Sequence, residues 1–439
     1  MAPRIKNGQK KAGAIDELYW DDYFVTEQTV TKNMTDKHQR RKKEIVETAF
    51  QVWGGISFRK TSLAVLAKAL GVSKTALYRY FSGKDEIVAA MEEHFFAIYE
   101  ELSDRVVQER RGESIEEVFD AYNSQFVRFF AEHFNYLRFA QIHFLRKPEI
   151  ENLFLTVTFS RSRELFPPDL ISSRYGWRMA QVPVIVRFIF AVSNFLLVMG
   201  NCGEAEGTQD VQGLLEKNRR MVLGGVGELS RRWVPDFEAI EAECTLGPED
   251  FPEPNRIFRA VSEVIAEDGL WNATLEKIAG KLGMSKSSLY FYFENRDQML
   301  WELIDRERHH LGALMLDRAM KRDGFEEQLY AYFVLFLRYV WGRPEFLATM
   351  NWLRYQELAF EPPDDPVSGM VRYYRFMSEA AENGVFNPGE FPMDMVVQLM
   401  HFLLMQEITE RFRLGEDIEE QLPVLRTLHQ LFLYGIQGA

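Results

Sequence analysis

The chain has 439 residues, 46% of them hydrophobic and 27% charged, which excludes a largely disordered polymer and leaves room for about three domains of ordinary size. A net charge of −13 excludes a general polyanion binder, so any surface for nucleic acid has to be a local basic patch on an acidic body. The two cysteines, Cys202 and Cys244, form no CxxC pair, which excludes a thiolate zinc site and suits a reducing compartment.

Residues 1–36 read as an N-terminal extension, with a basic start, MAPRIKNGQKK, then the acidic and aromatic run DELYWDDYF and no apolar signal core. Residues 37–94 begin with KHQRRKK (Lys37 to Lys43) and continue with apolar positions at helical spacing. Ser62 is a suitable N-cap for a helix running to Leu70, which Gly71 ends, and Ser73 starts a second short helix reaching Phe81. Two helices joined by a Gly-containing turn form a helix-turn-helix, whose second helix suits a DNA major groove. Helical geometry puts Ser73, Leu77 and Phe81 on one buried face, with Thr75 and Arg79 opposite and Lys74, Ala76 and Tyr78 flanking them. Ser82, with Asp85 three positions on, is expected to cap the next helix, which aims Lys84 at the same side as the outward face.

Residues 95–233 and 303–439 are expected to be two further helical domains. The first contains VPVIVRFIFAVSNFLLVMG (Val182 to Gly200), which approaches membrane-span length but carries Arg187 and Asn194 mid-run. It reads as a buried interface helix, with no membrane partner expected. Residues 234–254, rich in Pro and acid, read as a linker.

The phrase GVSKTALYRYFSGKD (Gly71 to Asp85) then returns as GMSKSSLYFYFENRD (Gly283 to Asp297), shifted by 212 with eight of fifteen residues identical. AYNSQFVRF (Ala121 to Phe129) answers AYFVLFLRY (Ala331 to Tyr339) at a shift of 210. The same shift relates Pro183 to Met393 and MVLGGV (Met221 to Val226) to LFLYGI (Leu431 to Ile436). A period this long is a duplicated domain, so residues 255–302 form a second helix-turn-helix. Apolar spacing is helical nearly throughout, and the expected fold class is all-α in two tandem copies.

GVSKTALYRYFSGKDEI preceded by TSLAVLAKAL, and ATLEKIAGKLGMSKSSLYFYFENRDQML in the second copy, resemble the DNA-binding signature of the tetracycline-repressor (TetR) family of bacterial regulators. The resemblance implies homodimer-like architecture inside one polypeptide. Two heads would read double-stranded operator DNA, and paired C-terminal helices would form an internal pseudo-dimer interface, the long helices near Pro183 and Met393 together with the last helix of each copy. It further implies a cytoplasmic regulator, repressor in sign, that responds to a small-molecule effector and needs no cofactor or metal. The expected DNA-facing residues are Ser62, Ser73, Lys74, Thr75, Tyr78, Arg79, Tyr80 and Lys84 in the first head. In the second they are Thr274, Ser285, Lys286, Ser287, Tyr290, Phe291, Tyr292 and Arg296. His133, His143, Trp352 and Arg354 are candidates for an effector pocket.

The two heads differ. Arg79 becomes Phe291, which exchanges a group able to grip guanine for one suited to a thymine methyl. Residues 36–90 hold eleven Lys and Arg against five Asp and Glu, a balance of +6, while residues 248–302 hold six against ten, a balance of −4. The first head is therefore expected to anchor and the second to contribute less, giving an imperfect palindrome as operator. Catalysis is not expected: G-x-x-x-x-G-K-[ST], GxSxG and HExxH are all missing, and His309 and His310 are adjacent rather than at ligand spacing. The competing reading is a regulator-derived binding protein with one or both heads no longer engaging DNA.

Overall fold

Apolar residues recurring at three- and four-residue spacing favour helices over strands, and the fold is all-α. The computed structural model describes residues 36–54, 62–109, 114–144, 161–201, 210–226, 228–229, 234–253, 255–268, 274–292, 296–356, 371–389 and 391–438. The first head consists of α1 (Asp36–Trp53), α2 (Leu63–Ala69), α3 (Lys74–Leu77) and the start of α4 (Lys84–Glu109). Its core gathers Ile45, Ala49, Phe50 and Trp53 from α1, Leu66 from α2, Leu77 from α3, and Ile87 and Met91 from α4. These elements form one compact unit that ends at His94, and the chain from Phe95 onward forms a second.

In the second unit, α5 (Ile115–Tyr122) passes through a π-helical turn (Asn123–Val127) into α6 (Arg128–Glu132), followed by α7 (Phe134–His143) and α8 (Pro168–Tyr175). The long helix α9 (Val182–Asn201) and α10 (Val211–Gly224) complete the first copy. Asn123, in the π turn, is buried with its side chain satisfied. Its Nδ2 donates to the Leu215 carbonyl at 2.8 Å, and its Oδ1 accepts from Asn218 Nδ2 at 2.9 Å.

The segment expected to be a linker is built structure. It holds α11 (Phe237–Glu243) and a 3-10 turn (Pro248–Asp250), and it buries Ile240 and Cys244. The Glu241 carboxylate accepts a fork from Arg426 at 2.8 and 2.6 Å, and Phe251 stacks on Tyr339 at 5.5 Å. Pro and acid content pointed to a linker, and in the structure its acids are partners for arginines of the second copy.

The second head follows as α12 (Arg256–Asp268), α13 (Leu275–Leu282), α14 (Lys286–Tyr292) and α15 (Arg296–Leu314). Then come α16 (Phe325–Gly342), α17 (Pro344–Gln356), α18 (Val371–Glu382), α19 (Met393–Leu414) and α20 (Leu422–Tyr434). Helix α12 packs on both α13 and α17. A buried ion pair lies beneath them: Arg343 Nη2 donates to Glu307 Oε1 at 2.6 Å, and Tyr339 donates to the other carboxylate oxygen at 2.7 Å.

The two copies meet where α9 packs on α19 and α20, and α10 on α20. Phe195 and Phe402 lie 5.6 Å apart there. The charge inside the apolar α9 is explained: Arg187 forks the Glu407 carboxylate of α19 at 2.7 and 3.0 Å. Asn194 accepts a bond from Gln141 at 2.6 Å. This helix is long and apolar enough to cross a membrane, yet two thirds of its most apolar window (67%) is buried in the protein. Gly225 (φ +79°) and Gly435 (φ +63°) follow α10 and α20. A Cβ on Gly225 would strike the Leu433 backbone, and one on Gly435 the Leu223 backbone. The two contacts exchange under the 210-residue shift. Beside them β1 (Glu228–Leu229) pairs antiparallel with β2 (Phe386–Asn387), and the Trp177 indole donates to the Ile436 carbonyl at 2.8 Å.

Candidate nucleic-acid interface

In the first head Gly71, at φ +63°, turns the chain out of α2, because only a residue without Cβ enters that region freely. The Val72 N–H bonds back to the Ala67 carbonyl at 2.9 Å and the Gly71 N–H to that of Lys68 at 3.1 Å. Ser73 then caps α3, its Oγ accepting from the Ala76 N–H at 3.2 Å. Leu77 and Phe81 anchor this segment in the core, while Lys74, Thr75, Tyr78 and Arg79 are exposed, Tyr78 by 49%.

Four local expectations are corrected. Helix α3 ends at Leu77, with Tyr78 to Tyr80 in a turn rather than in a helix reaching Phe81. Ser73 is exposed at the cap and does not share the buried stripe of Leu77 and Phe81. Glu86, not Asp85, closes over the start of α4, accepting from the Ser82 N–H at 2.5 Å, a bond that holds its pKa below the ordinary carboxylate value. Ser62 precedes α2 with extended backbone, but its side chain makes no cap bond.

The charges of this head face outward in different degrees. The Lys74 ammonium sits 6.0 Å from the Tyr78 ring centre, and among the described residues neither Lys74 nor Arg79 is paired with a carboxylate. Lys84 lies 5.3 Å from the Trp53 ring centre, and burial lowers its pKa against the opposing pull of Asp85. Tyr80 leans on His38 of α1 at 4.7 Å, so its ring is partly a packing element. Within the basic run, Lys42 covers Phe81 at 5.0 Å, and Arg41 and Lys43 pair along α1 with Glu44 and Glu47.

The second head repeats the turn. Gly283 has φ +67°, and the Met284 and Gly283 N–H groups bond to the Ala279 and Gly280 carbonyls at 2.9 and 3.1 Å. Thr274 caps α13 through the Lys277 N–H at 3.4 Å, and Ser285 caps α14 through the Ser288 N–H at 3.1 Å. Ser287 and Lys286 are exposed, but the Lys286 ammonium is bonded to the Glu276 carboxylate, which lowers the pKa of Glu276. The first head has Ala64 at the position of Glu276. Tyr290, Phe291 and Tyr292 lie on α14 and Arg296 opens α15; their side chains fall outside the described residues.

Of the four effector candidates, the two with described side chains, His133 and His143, do not share one site. His133 is exposed before α7, 4.7 Å from the Phe129 ring, whereas His143 is buried at the far end of α7, stacked on Phe139 at 4.9 Å. Trp352 and Arg354 lie on α17, and their side chains fall outside the described residues. The structure instead gathers Tyr332 of α16, Tyr374 of α18 and His401 of α19. Both hydroxyls approach His401 Nε2, at 2.6 and 2.9 Å, and lie 3.2 Å from each other. His401 Nδ1 bonds to the Val397 carbonyl at 2.8 Å, so Nδ1 carries the proton and Nε2 accepts. Burial pushes the pKa of this imidazole down to about 4. No local spacing joins these three residues, and sequence reasoning passed over them.

Residues 45–91 and 257–303 each match the family described as bacterial regulatory proteins, tetR family. Their offset is the 212 of the repeated phrase. Among solved structures the chain is similar to the fatty acid degradation regulator FadR from Bacillus halodurans, with 21% identity, 44% of this chain and 100% of that one covered, and a TM-score of 0.34. It is similar also to the TetR family transcriptional regulator PfmR from Thermus thermophilus, with 21% identity, 42% and 97% covered, and a TM-score of 0.31. No curated protein matches the chain. With a DNA-binding helix-turn-helix rebuilt twice at one offset, the chain carries in tandem the DNA-binding domain of the bacterial regulatory proteins, tetR family.

Proposed function

We propose that the chain is a covalent pseudo-dimer that reads an imperfectly palindromic operator with two unequal heads and represses transcription until a small hydrophobic effector releases it. One observation carries this reading. The glycine turn, the Ser cap and the buried leucine recur at a single offset, as Gly71, Ser73 and Leu77 and again as Gly283, Ser285 and Leu289. A duplex presents equivalent faces one helical turn apart, and a dimer normally supplies the two heads that meet them. Here tandem copies supply both at fixed stoichiometry.

The first head is the anchor, since phosphate neutralisation dominates affinity and Lys74 and Arg79 face outward from the only head with a positive balance. The second contributes less, with Lys286 occupied by Glu276 and Phe291 in place of Arg79. That ion pair also favours the reading in which the second head has ceased to engage DNA. In the second copy, the hydroxyls of Tyr332 and Tyr374 beside His401 offer polar groups within an aromatic core, the composition of an effector site. An effector acts by preferring the arrangement that does not fit DNA, and a coupling of about 1–3 kcal/mol shifts operator affinity roughly five- to 150-fold.

Titration of the chain against labelled duplex from the region upstream of its own gene tests this, with fluorescence anisotropy as the readout. Wild type binds one chain per site. Lys74→Ala/Tyr78→Ala loses far more affinity than Lys286→Ala/Tyr290→Ala; equal losses overturn the unequal-heads reading, and absence of binding overturns the regulator reading.

A further inference from the structure

We infer that the seam between α9 and α19 is keyed for unlike copies: the Arg187–Glu407 pair accepts copy two against copy one and rejects a like copy from another chain. The inference rests on the pseudo-dimer reading. The two helices run antiparallel, since Phe195 meets Phe402 while Arg187, earlier on α9, meets Glu407, later on α19. The 210-residue shift that exchanges the contacts of Gly225 and Gly435 also relates α9 to α19. Under it, the mate of Arg187 is Val397 and the mate of Glu407 is Leu197.

An interface between identical copies makes every contact twice. This one makes a bidentate ion pair at one pair of positions, and the sequence places Leu197 and Val397 at the pair that corresponds under the shift. Glu407 is 5% exposed and Leu197 is 3% exposed, so both positions are dry. Were α9 to meet a second α9 in the same geometry, each Arg187 would face Leu197, and no carboxylate would answer either guanidinium. Were α19 to meet a second α19, each Glu407 would face Val397. Glu407 would keep Arg411 of its own helix at 3.8 Å, but each Arg187 guanidinium would lose its bidentate partner, and only the unlike pairing avoids that loss. A single buried polar position sets partner choice in coiled coils by the same physics.

A second departure from symmetry points the same way. Gln181 donates to Thr427 across the seam at 3.1 Å, whereas its mate under the shift is Phe391, which lies under the Arg220 guanidinium at 5.3 Å. Each copy therefore presents chemistry that the other complements and that a twin does not.

The test uses the full chain with a protease site introduced between Leu229 and Val234, folded first and nicked afterwards, so that the tether no longer chooses the partner. Native mass spectrometry then counts unlike and like pairs of halves after incubation in mild denaturant and return to buffer. Wild type remains in unlike pairs only. Arg187→Val/Glu407→Leu, which gives both sides the residues of their mates, scrambles toward about half like pairs, the statistical share. Should that variant fail to fold by circular dichroism, Arg187→Met/Glu407→Met carries the same test. Unlike pairs alone in a folded double variant overturn the key, as does scrambling of wild type. The single variants Arg187→Val and Glu407→Leu separately lower Tm; if both leave it unchanged, the seam does not form, and it is the pseudo-dimer reading that fails.

Discussion

The two heads share a turn and differ in what they show to solvent. Gly71 and Gly283 take the same left-handed backbone, Leu77 and Leu289 are both buried, and Ser73 and Ser285 both cap the following helix. Around that common frame, Ala64 faces Glu276, Arg79 faces Phe291, and a balance of +6 faces one of −4. Residues that fold the motif are kept in both copies, whereas the exposed positions have parted only in part: Lys74 and Tyr78 recur as Lys286 and Tyr290, but Ala64 and Arg79 do not recur.

The largest test of the contrast between copies lies in their cores. The buried Arg343 of the second copy corresponds to the exposed His133 of the first, so only the second has the Glu307–Arg343–Tyr339 cluster. Among the described residues, Glu307→Ala leaves the buried Arg343 guanidinium only the Pro252 carbonyl and Glu345, at 3.3 and 3.4 Å, and should destabilise the second unit by about 3 kcal/mol in calorimetry. The matching His133→Ala should change little.

Acid sharpens the same difference. His401 and His429 of the second copy are pushed by burial from 6.5 to about 4. Unfolding restores the ordinary value, so between these limits the unfolded chain binds more protons than the folded one. Stability is full above about pH 6.5, declines as pH falls toward 4 and is flat below. The decline attributable to each ring is on the order of 3 kcal/mol. Denaturant titrations across that window check it, and His401→Asn should flatten part of the slope.

Smaller effects are expected at the DNA surface. Lys74→Ala/Tyr78→Ala should weaken operator binding roughly a hundredfold, and Lys286→Ala/Tyr290→Ala only a few-fold. Glu276→Ala has the smallest and most telling effect. By freeing Lys286 for phosphate it should raise affinity about two- to fivefold and steepen the salt dependence by about one unit. No gain on this change would mean that the Lys286–Glu276 pair does not restrain the second head.

Much of this was legible in the chain, and the limits have physical causes. The helix-turn-helix could be read because caps, a positive-φ glycine and a buried leucine act within a few residues of one another. The partner of Arg187 could not, since Glu407 is brought to it only by the packing of α9 on α19. The mid-run charge did announce that a partner existed. The joint misled through composition: Phe237, Ile240 and Cys244 at helical spacing were the better signal than its Pro and acid content. Tyr332, Tyr374 and His401 come from three helices, and nothing in the sequence near any of them marks the meeting.

Gly225 and Gly435 have a consequence for how the halves of this chain can change. In an ordinary homodimer one codon alters both sides of the axis at once, but here each side mutates alone. Most positions are thereby released from their twins, as Arg79 and Phe291 illustrate. These two glycines are not, because each abuts the other copy's main chain, which no side-chain replacement can withdraw. They are the points where drift in one half has to wait for the other.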